Sequence, residues 1–308
     1  FIKCIKDDPK DTHALYNTIY CFESLENPDG AIEFLNEFLE ADPFSEIAWH
    51  QLGRQYANKG LLKQALSSYD FAVICDNEFI GAYYEMGKTL QKMKRYNEAI
   101  LTYETTLSVD EPTAFVLFHI GQCHISLGNT KLAIHYFKRT LIEDPLYEKA
   151  WIALIDVHFD DKEFEKALYY AKKSIKIDNA NVVIWKRYAE INLSLGLLGE
   201  AEFGYKECVN LGNYEVETWV KWADVLKEMD DYPKALEVLK QGLQFHPDSS
   251  VINFRLGGIY LLSSKSLEAR FYLKNAYMSD AKQLNHFYET FPEFRSSSFV
   301  KQSLSLKT

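Results

Sequence analysis

The sequence predicts an all-α fold, a right-handed α-solenoid (superhelix) built from stacked antiparallel helix pairs. Three observations indicate it: Gly and Pro are sparse, with 14 and 8 in 308 residues, apolar residues recur at helical spacing, and one pattern repeats every 34 residues. Alanine marks this period in eight successive repeats, at Ala31, Ala65, Ala99, Ala133, Ala167, Ala201, Ala235 and Ala269.

The eight predicted repeats follow one another without an insertion. With the alanine as position 20, they span residues 12–45, 46–79, 80–113, 114–147, 148–181, 182–215, 216–249 and 250–283. Residues 1–11 match the second helix of a preceding repeat, so we expect further repeats upstream in the natural chain. Residues 284–308 are expected to form a C-terminal capping segment, because the last repeat of a stack lacks a neighbour.

Each repeat is predicted to contain two helices that face each other. Positions 4, 7, 8 and 11 form one apolar stripe and positions 20, 24 and 27 form a second. Gly60, Gly128 and Gly196 stand at position 15, where a left-handed residue can end the first helix, and Pro28 and Pro233 stand at the start of the second. Position 4 carries large side chains in seven repeats: Leu15, Trp49, Tyr83, Leu117, Trp151, Trp185 and Trp219.

This pattern resembles the tetratricopeptide repeat family. The resemblance covers residues 12–283 and implies a superhelix whose concave groove is lined by the first helix of every repeat. It also implies that the chain binds proteins or peptides in that groove. The family pattern is most complete in the second repeat, at Trp49, Leu52, Gly53, Tyr56, Ala65, Tyr69 and Ala72.

Positions 2, 5, 9, 12 and 13 of the first helices lie away from the core stripe and are the candidate groove surface. They are basic and aromatic in repeats two and three and acidic in repeats five to seven, which would suit a partner with separate acidic and basic segments. The alternative is a solvated helix face without a ligand. The candidate residues are Tyr16, Tyr20, His50, Arg54, Tyr84, Lys88, Lys92, Phe118, Gln122, Asp156, Asp160, Glu190 and Asp224.

The groove columns of the last repeat are apolar instead, at Val251, Phe254, Leu261 and Leu262. Such a patch is uncommon on a free surface. Either a partner covers it, or the tail does so with Phe287, Phe291, Phe294 and Phe299, and we favour the tail.

Composition argues against several classes of protein. The 34 Lys and Arg against 44 Asp and Glu give a net charge of -10, unfavourable for binding nucleic acid or an anionic membrane. Five cysteines without CxxC spacing indicate reduced thiols rather than a disulfide framework or a zinc site. No apolar run is long enough to span a bilayer and no signal peptide is visible, so we expect a cytoplasmic protein.

Motifs that suggest chemistry have a simpler explanation here. Gly87-Lys88-Thr89 lacks the spacing and the strand of a phosphate loop, and His119 with Cys123 lacks further metal ligands. His124 and His158 occupy a core-edge column, where packing is the default. We therefore expect no catalytic residues, no metal and no cofactor.

Two functions remain open. The first is a non-enzymatic scaffold that binds a peptide or helix of a partner. The second is a substrate-selecting or regulatory arm of a larger enzyme or membrane protein. Self-association through the end repeats is a weaker option. One binding mode of the family grips a terminal carboxylate with Lys and Asn four residues apart in one repeat and with Lys and Arg in a later one. That clamp is missing here, because positions 5 and 9 read Tyr16 and Tyr20, His50 and Arg54, Tyr84 and Lys88, and Phe118 and Gln122.

Overall fold

The computed structural model describes residues 11–109 and 112–304, which form eighteen α-helices and two short 3-10 helices and contain no strand. The predicted remnant of an earlier repeat falls on residues that, apart from Asp11, lie outside the described part. Contacts divide the chain into two compact units, residues 1–150 (unit 1) and 151–308 (unit 2).

Unit 1 is a succession of helix pairs. Its first helices begin at residues 12, 46, 80 and 114, and its second helices at 28, 62, 96 and 130, so both series keep the 34-residue interval. In chain order the helices are α1 (Thr12–Ser24), α2 (Pro28–Ala41), α3 (Glu46–Asn58), α4 (Leu62–Cys75), α5 (Ile80–Lys92), α6 (Tyr96–Val109), α7 (Ala114–Ser126) and α8 (Thr130–Glu143).

Unit 2 continues the same alternation and ends in a shorter tail. Helix α9 (Glu148–Asp160) begins just before the unit boundary. The pairs are completed by α10 (Phe164–Ile177), α11 (Val182–Ser194), α12 (Leu198–Asn210), α13 (Val216–Glu228), α14 (Tyr232–Phe245), α15 (Ser250–Leu262) and α16 (Ser266–Ser279). The tail holds a 3-10 helix (Ala281–Gln283), α17 (Leu284–Thr290), a second 3-10 helix (Pro292–Phe294) and α18 (Ser298–Ser303).

The end of every first helix takes the same backbone conformation. The residue at position 15 has a positive φ in all eight repeats, although only three of them carry the predicted glycine. In the others the chain accepts the left-handed conformation with an ordinary side chain, at a cost of about 1–2 kcal/mol each. The eight residues are Glu26, Gly60, Lys94, Gly128, Lys162, Gly196, Asp230 and Ser264.

The two helices of a pair approach closely because small residues lie where they cross. The alanine at position 20 is fully buried in all eight repeats. At position 8, Gly53 and Gly87 lie under the rings of Tyr69 and Tyr103, and a Cβ atom on either glycine would come within 2.4 Å of the ring. In these two pairs an aromatic ring therefore packs directly against the backbone of the first helix.

Replacement of Gly87 by Ala is expected to lower the free energy of unfolding by about 1–3 kcal/mol, because overpacking displaces the ring. The Tyr103 hydroxyl donates a hydrogen bond of 2.9 Å to Gln91, which restricts that displacement. Urea unfolding followed by circular dichroism measures the effect.

Gly81→Ala in the same helix is the matched control. Its Cβ would have only ordinary contacts, the nearest to Phe79 at 3.5 Å, so it should leave stability unchanged or raise it by up to about 1 kcal/mol. Equal unfolding midpoints for the two variants would contradict the packing described.

Two histidines of unit 1 pack among aromatic rings. The His50 ring meets Phe79 edge-on at 5.2 Å, and the His119 ring lies 4.3 Å from Phe115 and 5.7 Å from Tyr103, measured between centroids. Burial lowers the pKa of each histidine to about 4, helped by Arg54 for His50 and by Lys88 for His119. Both imidazoles are therefore neutral in the fold.

These lowered pKa values predict that unit 1 loses stability on mild acidification. Between pH 7 and pH 5 the unfolded chain takes up protons that the folded chain excludes, which should lower the free energy of unfolding by about 2 kcal/mol for each histidine. Urea titrations at the two pH values measure the loss. His119→Phe should remove the part of this loss that His119 causes, and an unchanged pH dependence in that variant would contradict the assignment.

Candidate functional site

The predicted groove residues of unit 1 lie on α1, α3, α5 and α7 with graded exposure. Tyr20 and Tyr16 are 68% and 43% exposed, and Lys92 and Gln122 are also exposed. The side chains of His50, Arg54, Tyr84 and Lys88 are only partly accessible.

Phe118 differs from the other predicted contacts because its ring belongs to the core. It is only 4% exposed and packs 5.2 Å from the Tyr147 ring and 5.6 Å from the Phe137 ring. Position 5 is thus an exposed ring in the first repeat and a buried one in the fourth. Sequence columns alone do not distinguish these cases.

The basic side chains of unit 1 have acidic neighbours. Lys88 Nζ lies 2.8 Å from a carboxylate oxygen of Glu85, one turn earlier on α5. Arg54 Nη1 donates to Gln51 at 3.0 Å, and its Nη2 lies 3.7 Å from Glu23 on α1. The predicted basic patch is therefore partly compensated, and Lys92 is its most exposed charge.

The acidic residues of unit 2 are paired with arginines that sequence inspection did not single out. Arg187 bridges two of them, with 2.7 Å to Asp156 and 2.8 Å to Glu190. Arg255 lies 3.0 Å from Asp224, and burial raises the pKa of that carboxyl although the arginine opposes the shift. The face predicted to be acidic thus carries both negative and positive side chains.

The ion pairs between successive first helices share one separation in sequence. Arg54 and Glu23, Arg187 and Asp156, and Arg255 and Asp224 are each separated by 31 residues, so a side chain of one first helix reaches the first helix before it. Partly exposed pairs of this kind contribute about 0–1 kcal/mol. The charge columns therefore also align successive first helices within each unit.

The ion pair of Arg255 differs in energy from the partly exposed pairs, because Arg255 is only 4% exposed. Its Nη2 also lies 3.3 Å from His286 Nε2 in α17. Removing Asp224 would leave a buried charge without compensation, which costs about 3–5 kcal/mol. Asp224 is thus chiefly a structural residue. Asp160, at the end of α9, is exposed.

The apolar groove of the last repeat is covered by the tail. Phe254 packs against Phe287 at 5.5 Å between ring centroids, and the Phe291 ring fills the space where Gly258 has no side chain. Val251, Leu261 and Leu262 are partly buried in the same cluster, with Phe294 and Phe299. The tail therefore buries Phe254 and partly covers the other three residues of this face.

Residues 11–109 and 112–304 contain neither a cluster of metal-ligating side chains nor a helix that could span a membrane. No three His, Cys, Asp or Glu side chains lie together in a way that could hold a metal ion. Cys123 is fully buried, and burial raises the pKa of its thiol to about 11. No helix in the same range has the length and apolar character to cross a membrane.

The family model of the tetratricopeptide repeat matches residues 3–46 and 120–182, and a second model of that repeat matches residues 80–113. Superkiller complex protein 3 of Mus musculus is 29% identical over 102 residues, which are 33% of this chain and 6% of that protein. Tetratricopeptide repeat protein 37 of Xenopus laevis is 27% identical over 103 residues, 33% of this chain and 7% of that one. The chain therefore matches only a small part of these relatives.

Solved structures show the same architecture. The C-terminal part of a TPR repeat-containing protein from Cytophaga hutchinsonii has a TM-score of 0.66 with 11% identity, covering 83% of this chain and 99% of that one. PilW, a type IV pilus biogenesis factor, has a TM-score of 0.56 with 19% identity, covering 70% and 99%. These structures show the α-solenoid fold, and the repeat models that match residues 3–46, 80–113 and 120–182 show that the chain contains tetratricopeptide repeats.

Proposed function

We propose that this chain is a non-enzymatic scaffold that binds a peptide or helix of a partner protein on the face formed by its first helices. The observation that carries the proposal is a row of accessible aromatic, charged and polar side chains at one position of successive first helices: Tyr20, Arg54, Lys88 and Gln122. Tetratricopeptide repeat proteins act in general as protein-interaction scaffolds, which supports the same function.

Unit 1 supplies the principal contact in this proposal. Tyr16 and Tyr20 lie one turn apart on α1 and offer rings that lose little conformational entropy on binding. Arg54, Lys88 and Lys92 would meet carboxylates of the partner. Since Glu23 and Glu85 already hold two of these cations in place, an acidic ligand would exchange one carboxylate for another rather than order a free side chain.

Unit 2 is proposed to make a separate contact with a basic segment. Asp160 is exposed, and Asp156 and Glu190 keep accessible edges beside Arg187. This contact should be the weaker one, because Arg187 would repel a basic ligand.

A place in a larger assembly is the second candidate. It is favoured by the relative whose name makes it a member of the superkiller complex, of which this chain matches only 6%. In that case the repeats would be the substrate-selecting or regulatory arm of a larger protein. A reducing compartment such as the cytoplasm is compatible with Cys21, Cys75, Cys123 and Cys208, which are all free.

The test is charge reversal on the first-helix face of unit 1. The partner is first captured by photo-crosslinking from Gln122 and then purified. Arg54→Glu with Lys88→Glu should weaken its binding more than tenfold at low salt and less at high salt, because salt screens the lost attraction. Isothermal titration calorimetry measures both affinities.

The matched control is Lys63→Glu with Lys131→Glu, which makes the same change in net charge at exposed positions of α4 and α8. It should leave the affinity unchanged. Arg54→Gln with Lys88→Gln places no new carboxylate beside Glu23 and Glu85 and should still weaken binding. If reversal and control gave the same affinity at low salt, the proposed contact would be wrong.

A further inference from the structure

A column of lysines runs along the second helices. The ninth residue of each second helix, position 25 of the repeat, is Lys in five consecutive repeats, although the chain has only 27 Lys among 308 residues. Four of them belong to unit 2 and are called here the lysine ladder: Lys172, Lys206, Lys240 and Lys274. The fifth, Lys138, lies in unit 1.

The lysine ladder faces solvent. All four side chains are exposed, and each stands one residue after the core position of its helix. Within residues 11–109 and 112–304, Lys172, Lys206 and Lys274 make no hydrogen bond or ion pair, whereas Lys240 Nζ lies 5.6 Å from the Tyr260 ring. The charges of Lys172, Lys206 and Lys274 are therefore not used to hold the fold together.

The acidic side chains near the lysine ladder interact with residues outside it. Glu202 pairs with Lys234, Glu200 accepts a hydrogen bond from Tyr188, and Glu207 accepts one of 2.8 Å from Asn210. These three carboxylates thus have partners, whereas Lys172, Lys206 and Lys274 have none among the described residues. This contrasts with the first helices, where Arg54, Arg187 and Arg255 each lie beside a carboxylate.

Exposed rings accompany the ladder. Three residues before the lysine, which is almost one helical turn, stand Tyr169, Phe203 and Phe271, each about half exposed or more. In the remaining repeat Glu237 takes this place. Each of the other three helices therefore presents a ring and an ammonium group side by side, a combination that favours recognition of a ligand with both carboxylate and apolar groups.

The charge density favours a peptide over a nucleic acid. Unit 2 carries 20 Lys and Arg against 22 Asp and Glu, and the ladder offers one lysine per repeat. A phosphate backbone needs a denser positive surface and would be repelled by the glutamates that flank the ladder. Carboxylates spaced along an extended chain can meet the lysines singly.

We propose that the lysine ladder and its accompanying rings form a second docking surface, which binds an extended acidic segment of a partner protein that also carries apolar side chains. This surface lies on the second helices and is separate from the first-helix face. It makes several weak contacts of one kind along one ligand, so its affinity depends on how many repeats the ligand spans.

The test uses the whole chain and three fluorescein-labelled probes of equal length. These are a peptide of repeating Glu-Leu-Gly units, a peptide of repeating Lys-Leu-Gly units, and oligouridine RNA. In fluorescence anisotropy at low salt the acidic peptide should bind, and Lys172→Gln with Lys206→Gln and Lys274→Gln should weaken it about tenfold. Lys172→Arg with Lys206→Arg and Lys274→Arg should bind the acidic peptide as the native chain does, since it keeps the charges.

The matched control replaces Lys162, Lys265 and Lys282 by Gln, which removes the same charge from exposed positions outside the ladder. Binding of the acidic peptide should be unchanged. Equal losses in both triple variants, absence of binding to the native chain, or tighter ladder-dependent binding of the RNA would each overturn the proposal. The ladder substitutions should weaken binding of the acidic peptide by the same factor in the Arg54→Gln with Lys88→Gln background, which separates this surface from the first-helix face.

Discussion

The close approach of the two helices in each pair is the constraint on which the rest of the structure depends. The alanine at position 20 is fully buried in every repeat, and Gly53, Gly87 and Gly121 at position 8 lie directly under an aromatic ring. Side chains of this size leave no room for variation, so each pair has one geometry, and the same residue position meets the same environment in the next repeat. A surface column can therefore carry a function only because the core columns keep the pairs alike.

Much of this could be predicted from the sequence, because core contacts within a pair are local. The helix starts follow from the alanine period, but the conformation at position 15 was visible only where glycine occurs. Lys94 and Asp230 adopt the same positive φ. Packing of the pair imposes that turn, and nothing in the local sequence of these residues signals it.

The candidate site was harder to predict, because it depends on contacts between repeats. Arg187 and Arg255 escaped notice since pairing across 31 residues requires knowing which faces of successive first helices meet. Phe118 shows the same difficulty, because Tyr147, far along the chain, decides that its ring is buried. Sequence columns locate a surface but do not give the partners of its side chains.

The two helix series of unit 2 use charge in opposite ways. On the first helices acidic and basic residues satisfy each other, as in the contacts of Arg187 with Asp156 and Glu190, so little net field remains for a ligand. On the second helices the ladder lysines are left without such partners. Stability cannot explain the repetition of an unpaired lysine, because an exposed side chain at this position contributes almost nothing to folding. Since the same position is Asn36, Asp70 and Glu104 in the first three repeats, the fold does not require lysine there either. The proposed role in binding explains both the recurrence of lysine in unit 2 and the absence of partners for Lys172, Lys206 and Lys274 among the described residues.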